Sequence, residues 1–314
     1  MVKTGEPPMN EPELIEKLRR RVALPRAADV VLGIGDDCAI VRPKGAREDW
    51  LYTTDMLIEG THFLRATHRA ADVGWKALAR GLSDIAAMGG EPRFCLLSLA
   101  LAGWVNARWL DGFYDGLLTL ADRAGVALIG GDLARTDRVM CDIVVAGTAP
   151  HGKALRRDGA RAGDAIYVSG ALGGSALGLA AGRGKAWTRH KRPEPRLALG
   201  RFLRVRVGAT AAMDLSDGLS LDLQRMCAAS GLRAEIVPPP RYRGATPAQS
   251  LHGGEDYELL FTAPARVRVP DAFEGLPLTR IGAMRKGAAG VVLMNGLMNG
   301  EPLPALGYDH LRSL

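Results

Sequence analysis

Acidic residues recur in this chain where apolar runs end in turns of glycine, serine or threonine. The segments are GIGDD with Asp36 and Asp37, YTTD with Asp55, LIGGD with Asp132, MDLSDG with Asp214 and Asp217, LSD with Asp84, and GGED with Glu255 and Asp256. Carboxylates that converge repel one another unless a cation neutralises them. Oxygen ligands without His or Cys suit a hard ion such as Mg²⁺. The pattern therefore predicts a site for several Mg²⁺ ions.

Each acidic segment taken alone has a simpler interpretation. An Asp beside a Gly is a common turn residue because its side chain bonds its own backbone, and an Asp ahead of a helix is a common cap. Convergence is expected if the strands share one sheet, because their ends then meet at one edge. The repetition of the pattern favours the metal site over a series of unrelated turns.

Mg²⁺ held by carboxylates, water and phosphate oxygens is the usual arrangement for nucleotide phosphoryl transfer. The P-loop motif is absent, because the nearest segment, GLAAGRGKA, has the wrong spacing and lacks a hydroxyl residue after Lys185. Gly170, Gly173 and Gly174 precede a predicted helix and form either an anion-binding nest or a tight turn. The chemistry therefore points to phosphate without a standard nucleotide motif.

Basic residues and one histidine are further candidates. Arg156 and Arg157 suit a phosphate clamp, with solvated surface residues as the alternative. His62 follows Asp55 and is either a functional group or a packed residue. The runs RRR at 19–21 and RHKR at 189–192 are interpreted as solvated faces.

Composition limits the class of protein. The chain has 314 residues, 47% hydrophobic and 24% charged, which is typical of a globular protein of two domains. The net charge of +7 favours anionic partners, but it is dispersed and only 5% of residues are aromatic, so no nucleic-acid partner is expected. Four distant cysteines and the lack of an apolar leader or spanning run predict reduced thiols, no membrane partner and a cytoplasmic location.

The elements that must position these residues alternate between strands and helices. In the first half we expect a helix capped by Asn10, helices over 70–88 and 107–124, and the strands VVLGI, CAIV, WLYTT, FCLLSLAL, VALIG and MCDIVVAG. In the second half we expect strands AIYVS and ATAAM and helices from Ser175, after Pro195 and from Asp217. The tandem LMNG at 293–300 predicts a lengthened hairpin turn. A composition change near Ala149 divides the chain into domains 1–148 and 149–314, of α/β or α+β class.

The motifs occur in an order that resembles a known family. They read GIGDDCAIV, TTDMLIEGTHF, LARGLSDIAAMGGEP, GGDLARTD, MDLSDGLSLDL and GGEDYELLFT, with GYDHL near the end. This set, from about Leu32 to Leu311, resembles the thiamine-monophosphate kinase family, which shares its fold with aminoimidazole ribonucleotide synthetase. The resemblance implies an amino-terminal mixed-sheet domain that binds ATP and Mg²⁺ and pairs with its copy in a homodimer. It also implies an α/β carboxy-terminal domain that completes the active site.

The resemblance further implies an activity and a set of site residues. The activity is Mg²⁺-dependent transfer from ATP to thiamine monophosphate, direct and without a catalytic side chain. The implied metal-binding residues are Asp37, Thr53, Thr54, Asp55, Asp84, Asp132, Asp214 and Asp217. The implied ATP-binding residues are Tyr114, Gly131, Asp132, Arg157 and Ser216, and the implied substrate-binding residues are His62, Glu255 and Tyr308. The alternatives are an enzyme similar to aminoimidazole ribonucleotide synthetase or selenophosphate synthetase, or a non-catalytic RNA-binding protein.

Overall fold

The computed structural model describes residues 11–22, 29–294 and 300–311. Asn10, the predicted cap of the first helix, lies outside the described residues, and so do residues 295–299 of the predicted LMNG turn. Among the described helices, none combines the length and hydropathy needed to cross a bilayer.

The amino-terminal half forms one mixed sheet with helices on one face. Its described elements are α1 (Glu11–Arg21), β1 (Val30–Leu32), β2 (Ala39–Val41), β3 (Glu48–Ile58), α2 (Ala70–Ala87), β4 (Glu91–Leu101), α3 (Ala107–Ala124), β5 (Ala127–Arg135) and β6 (Met140–Pro150). The strand order is β1-β2-β3-β6-β4-β5, and β4 and β5 are the parallel pair. The predicted domain boundary at 148–149 falls in the last residues of β6.

Side-chain alternation along β3 shows how this sheet divides its faces. Leu51 and Leu57 are buried in the core beneath α2 and α3, whereas Tyr52 and Met56 on the opposite face are exposed. The exposed face is continuous across β3, β6 and β4 because opposed residues in a sheet share a face.

The carboxy-terminal half forms a second, mainly antiparallel sheet. After a 3₁₀ turn, its described elements are β7 (Ala165–Ser169), α4 (Gly174–Ala181), α5 (Gly184–Lys191), α6 (Leu197–Phe202), β8 (Ala211–Asp214), α7 (Leu219–Ser230), β9 (Arg233–Ile236), α8 (Pro247–His252), β10 (Leu259–Ala263), β11 (Ala272–Phe273), β12 (Leu276–Arg285), β13 (Gly290–Met294) and β14 (Gly300–Pro302). The strand order is β14-β13-β9-β12-β7-β10-β8, with β11 on β12. Both faces are covered, since Ile166 packs in the core with α7 and Phe261 in the core with α6. The predicted two-domain α/β class is confirmed.

Helix α2 joins the two halves. Gly200 of α6 packs so closely on it that an added Cβ would lie 2.0 Å from the carbonyl oxygen of Ala86. At the other end, the indole Nε1 of Trp75 donates to the carbonyl of Pro193 at 2.9 Å. Asp72 accepts from Lys191 at 2.6 Å and from Arg192 at 2.5 Å.

Two interpretations of the sequence are corrected by this arrangement. The run 189–192 is not a solvated face: Lys191 and Arg192 bind α2, and His190 is buried. Nor do the aspartates meet at one sheet edge. Asp55 lies in β3 of the first sheet and Asp214 ends β8 of the second, while Asp84 belongs to α2. The carboxylates instead converge because α2 brings the two sheets together.

Candidate active site

A cavity of about 520 Å³ is lined by residues of both halves of the chain. The lining includes Asp55, Asp84, Asp214, Ser216 and Asp217, and also His62, Arg80, Glu255, Tyr257 and Tyr308. Two groups of titratable side chains with different surroundings therefore contribute to one cavity.

The first group, here called the acidic cluster, consists of Asp37, Asp84 and Asp214. Each offers a carboxylate oxygen that lies within 4.8 Å of those of the other two. Asp37 comes from the loop after β1, whereas the other two come from α2 and from the end of β8. Three elements distant in sequence thus assemble one oxygen-lined position.

The acidic cluster contains too few partners for its charge. Burial raises the pKa of Asp84 and of Asp214 well above the ordinary range, and the neighbouring carboxylates raise both further. Ser83 Oγ donates to Asp214 at 2.6 Å and Thr53 Oγ1 donates to Asp84. Oδ2 of Asp37 is buried with no hydrogen-bond partner among the described residues. An oxygen-only donor set with an unpaired buried carboxylate oxygen fits a hard divalent cation such as Mg²⁺.

Arginines pair with aspartates beside the acidic cluster. Arg157 binds Asp37 through Nη2 and Asp36 through Nε at 3.3 Å, and its side chain is mostly buried. Arg157 is therefore not a solvated surface residue. Burial, together with the nearby charge of Asp37, raises the pKa of Asp36 to about 7. Arg156, by contrast, binds exposed Asp158.

The second group, here called the Glu255 cluster, consists of Lys76, Glu255 and His190. Nζ of fully buried Lys76 lies 2.7 Å from Oε1 of Glu255, and Nδ1 of His190 lies 3.2 Å from Oε2. Burial alone would raise the pKa of Glu255, but Lys76 and His190 more than offset it and lower that pKa to about 2. This carboxylate is ionised at neutral pH.

The backbone at Glu255 is held in a conformation that L-residues seldom adopt. Glu255 has φ +63° and Tyr257 has φ +50°. Their N–H groups donate to the carbonyls of Ser216 at 2.7 Å and Leu215 at 3.0 Å, which holds the loop beside the end of β8. Strain of this kind persists where the surroundings over-determine the geometry, as at binding sites.

His62 presents a neutral imidazole to the cavity. Its Nδ1 accepts from the N–H of Ile58 at 3.0 Å, so Nε2 carries the proton. That Nε2 is buried without a hydrogen-bond partner among the described residues. Burial, and then the charge of Arg80, lower the pKa of His62 to about 3. His62 is therefore a donor at neutral pH.

Tyr308 also lines the cavity, and its side chain is about half exposed. Its backbone N–H donates to the carbonyl of Asp217 at 2.9 Å, which fixes the carboxy-terminal segment beside the site.

The TTD motif presents its side chains to both faces of β3. Thr53 contacts α2 through Asp84, and Asp55 does so through Arg80, whereas Thr54 Oγ1 donates to Asp142 on the opposite face at 2.6 Å. On that face Ser98 of β4 is paired both with Asp142 of β6 and with Asp132 of edge strand β5. Thr54 and Asp132 therefore belong to the exposed face of the sheet.

The cavity lining among the described residues does not include Tyr114, Gly131 or Asp132. Tyr114 packs beside Phe113 on α3. Gly131 has φ +155°, and an added Cβ would lie 1.8 Å from the carbonyl oxygen of Leu97. Glycine at this position is thus required by the close approach of β5 to β4.

The glycine turn before α4 holds an anion from the chain itself. The N–H groups of Gly173 and Ser175 donate to the carboxylate of Asp256, the latter at 3.0 Å. Asp256 occupies these donors in the way that a phosphate occupies a nest.

Sequence reasoning missed Lys76, Arg80 and His190. Asp72, Lys76, Arg80 and Asp84 recur every four residues in α2, an otherwise largely apolar and buried helix. Residues four apart share a helix face, so this spacing predicts a polar stripe facing something other than the core. No such sequence pattern marks His190, because its role depends on Glu255, which is remote in sequence.

Comparison with known proteins defines first a class and then a family. Residues 35–149 match the AIR synthase related protein amino-terminal domain, and residues 161–294 match the corresponding carboxy-terminal domain. The chain is 40% identical over 310 residues to the thiamine-monophosphate kinase of Escherichia coli strain K12, covering 90% of this chain and 92% of that protein. It is 33% identical to that of Bacillus subtilis strain 168, covering 97% and 100%.

A solved structure described as AaThiL complexed with AMPPCP and TMP superposes with a TM-score of 0.83 at 30% identity, covering 96% of this chain and 97% of that one. The chain belongs to the thiamine-monophosphate kinase family, a family of phosphotransferases. The resemblance drawn from the ordered motifs is confirmed.

Proposed function

We propose that this enzyme transfers the γ-phosphoryl group of ATP to the phosphate of thiamine monophosphate, forming thiamine diphosphate and ADP. The observation that carries the proposal is one cavity lined both by aspartates that need a cation and by a carboxylate that is already ionised. The AaThiL structure described as complexed with AMPPCP and TMP, to which the chain is similar over most of its length, supports the same pair of substrates.

The reaction does not need a strong general base. A phosphate monoester has a second pKa near ~6, so the acceptor is largely dianionic at neutral pH. The barrier comes from repulsion between two anionic phosphates, which cations overcome while they fix an in-line approach. Asp37, Asp84 and Asp214 would hold Mg²⁺, with Asp55 and Asp217 beside them. Mg²⁺, when bound, supplies positive charge to the phosphate oxygens.

The chain's own groups bind and orient the acceptor. Thiamine carries a cationic thiazolium, which the ionised carboxylate of Glu255 attracts. His62 donates through Nε2 and does not take up the phosphoryl group, since its Nδ1 lone pair already accepts from the N–H of Ile58 and its Nε2 carries a proton. Transfer is therefore direct. Incubation with γ-labelled ATP alone tests this: a stoichiometric phosphoenzyme that passes its label to thiamine monophosphate would refute direct transfer.

The exposed face of the first sheet supports a homodimer. Tyr52 and Met56 on this face, and Ile129 and Leu133 on edge strand β5, are each at least a third exposed. A second copy that covered both this face and the free edge of β5 would bury them. Ile129→Lys should shift sedimentation equilibrium toward monomer, whereas Val205→Lys, equally exposed on the other domain, should not. A monomeric wild-type protein at assay concentration would exclude the dimer.

The function itself is tested by an acceptor screen. Purified protein with ATP and Mg²⁺ is offered thiamine monophosphate, thiamine and aminoimidazole precursors, and products are separated by chromatography. We expect a product only with thiamine monophosphate as the acceptor, and that product should be thiamine diphosphate. A product from another acceptor, with none from thiamine monophosphate, would exclude the proposed function.

A further inference from the structure

Arg80 is a buried guanidinium with an unused donor. Only 12% of its side chain is exposed, and that side chain lines the cavity. Nη2 donates to Oδ1 of Asp55 at 2.8 Å, and Nη1 donates to the carbonyl of Met56 at 2.8 Å. Nε is buried and has no hydrogen-bond partner among the described residues. A guanidinium has five N–H donors, so this one has capacity for a further anion.

Arg80 lies between the acidic cluster and the Glu255 cluster. On α2 it is four residues from Asp84 of the acidic cluster and four from Lys76 of the Glu255 cluster. Its charge stabilises ionised Glu255 and disfavours protonation of His62. A group bound at this position would be adjacent both to the residues proposed to hold the acceptor and to those proposed to hold Mg²⁺.

A simpler explanation of Arg80 is that it only neutralises the charge of Asp55. Arg225 is an example of an arginine that only neutralises carboxylates. It pairs with Asp217 and Asp222, and it is not among the described residues that line the cavity. Arg80 differs in that it lines the cavity and keeps a buried N–H without a partner. Compensation of Asp55 explains neither feature.

We propose that Arg80 binds the phosphate of the acceptor. This inference rests on the function proposed above and assigns it a residue that the sequence motifs did not. A phosphate dianion accepts hydrogen bonds on three oxygens, and a guanidinium matches two of them in a fork. Asp55 and the Met56 carbonyl hold the guanidinium in place, and His62 Nε2 supplies a neighbouring donor.

Binding measurements test the assignment directly. Arg80→Met and Arg80→Lys are titrated calorimetrically, in saturating Mg²⁺, with thiamine monophosphate and separately with AMPPCP. Arg80→Met should weaken thiamine monophosphate binding at least ~10-fold, since charge-assisted hydrogen bonds are lost, and leave AMPPCP binding within about twofold. Arg80→Lys keeps the charge but not the forked pair of donors, so it should weaken thiamine monophosphate binding by about threefold or more. If Arg80→Met fails to fold, Arg80→Lys carries the test.

The matched control is Arg225→Met, which removes the partner of another aspartate at the site. It should change the two affinities by the same factor. Thiamine, added as a competitor, lacks the phosphate and should bind wild type and Arg80→Met equally. An unchanged ratio of thiamine monophosphate to AMPPCP affinity in both Arg80 variants would overturn the inference. Failure of the wild type to bind thiamine monophosphate would instead overturn the proposed function.

Discussion

The acidic cluster and the Glu255 cluster contain the same chemical group in opposite states. Asp84 and Asp214 have pKa values raised by burial and by neighbouring carboxylates, whereas the pKa of Glu255 is lowered to about 2. Lys76, at 2.7 Å from Glu255, accounts for the difference. Burial penalises a charge, and only a partner reverses the penalty. The chain thus supplies the cation of the Glu255 cluster, whereas the proposed Mg²⁺ would supply that of the acidic cluster.

Helix α2 contributes to both clusters. Lys76 and Asp84 lie about two turns apart on the same face of α2. Lys76 completes an ion pair with Glu255, whereas Asp84 adds to the negative charge of the acidic cluster. One helix therefore sets the distance between the residues proposed to bind the acceptor and those proposed to bind the metal.

Removing the external cation should abolish activity. EDTA-treated protein should be inactive and should recover with Mg²⁺ or Mn²⁺, because the acidic cluster offers oxygen ligands only. Thermal melting is the accompanying measurement: Mg²⁺ at about 100 times its Kd should stabilise the fold by about 2.7 kcal/mol. Full activity in metal-free protein would contradict the metal site.

Neutralising one aspartate should weaken catalysis without unfolding the chain. Asp214→Asn and Asp55→Asn should each lower kcat at least ~10²-fold, roughly 2.7 kcal/mol. The metal-free melting temperature of Asp214→Asn should not fall, since charge repulsion within the acidic cluster is relieved. Asp158→Asn, on the surface, is the control. Near-wild-type kcat in both site variants would reduce these residues to turn formers.

Removing the internal cation should affect acceptor binding selectively. Lys76→Met leaves Glu255 buried with one cationic partner fewer, at a cost of about 3 kcal/mol of unfolding free energy. Steady-state kinetics should show KM for thiamine monophosphate raised at least ~10-fold, with KM for ATP within about twofold.

The double variant Lys76→Met/Glu255→Gln separates stability from binding. It removes both charges and should recover most of the lost stability, but it should not recover acceptor binding. If it restored KM as well, Lys76 would have only a structural role.

The smallest effect is the titration of His190. Burial, and then the charge of Lys76, lower its pKa to about 4, and His68, Lys191 and Glu255 also face its ring. Its contribution to stability is therefore present above pH 6.5 and is lost as the pH falls toward 4. NMR of the imidazole nitrogens should show a neutral ring at pH 6. Protonation near pH 6.5 would contradict the buried cluster.

The sequence alone predicted several local elements and the residue types of the site, but not strands β9, β10 and β12 or helices α5 and α8. The period of apolar residues predicted α3 at its observed bounds and α2 to within one residue, because each helix buries one side in the adjacent core. Strand β7 was also placed correctly. The residue types of the carboxylates predicted an oxygen-lined cation site, and the presence of the cation itself stays a prediction.

Tertiary structure alone decided which carboxylates meet and which are neutralised. Asp37, Asp84 and Asp214 come from different elements, and no local rule states that α2 lies between the two sheets. The pairing of Lys76 with Glu255 joins the two halves of the chain, and so does the pairing of Asp72 with Lys191, although the run around Lys191 reads as solvated. The charge state of a buried group depends on neighbours in space, and only the packed molecule specifies them.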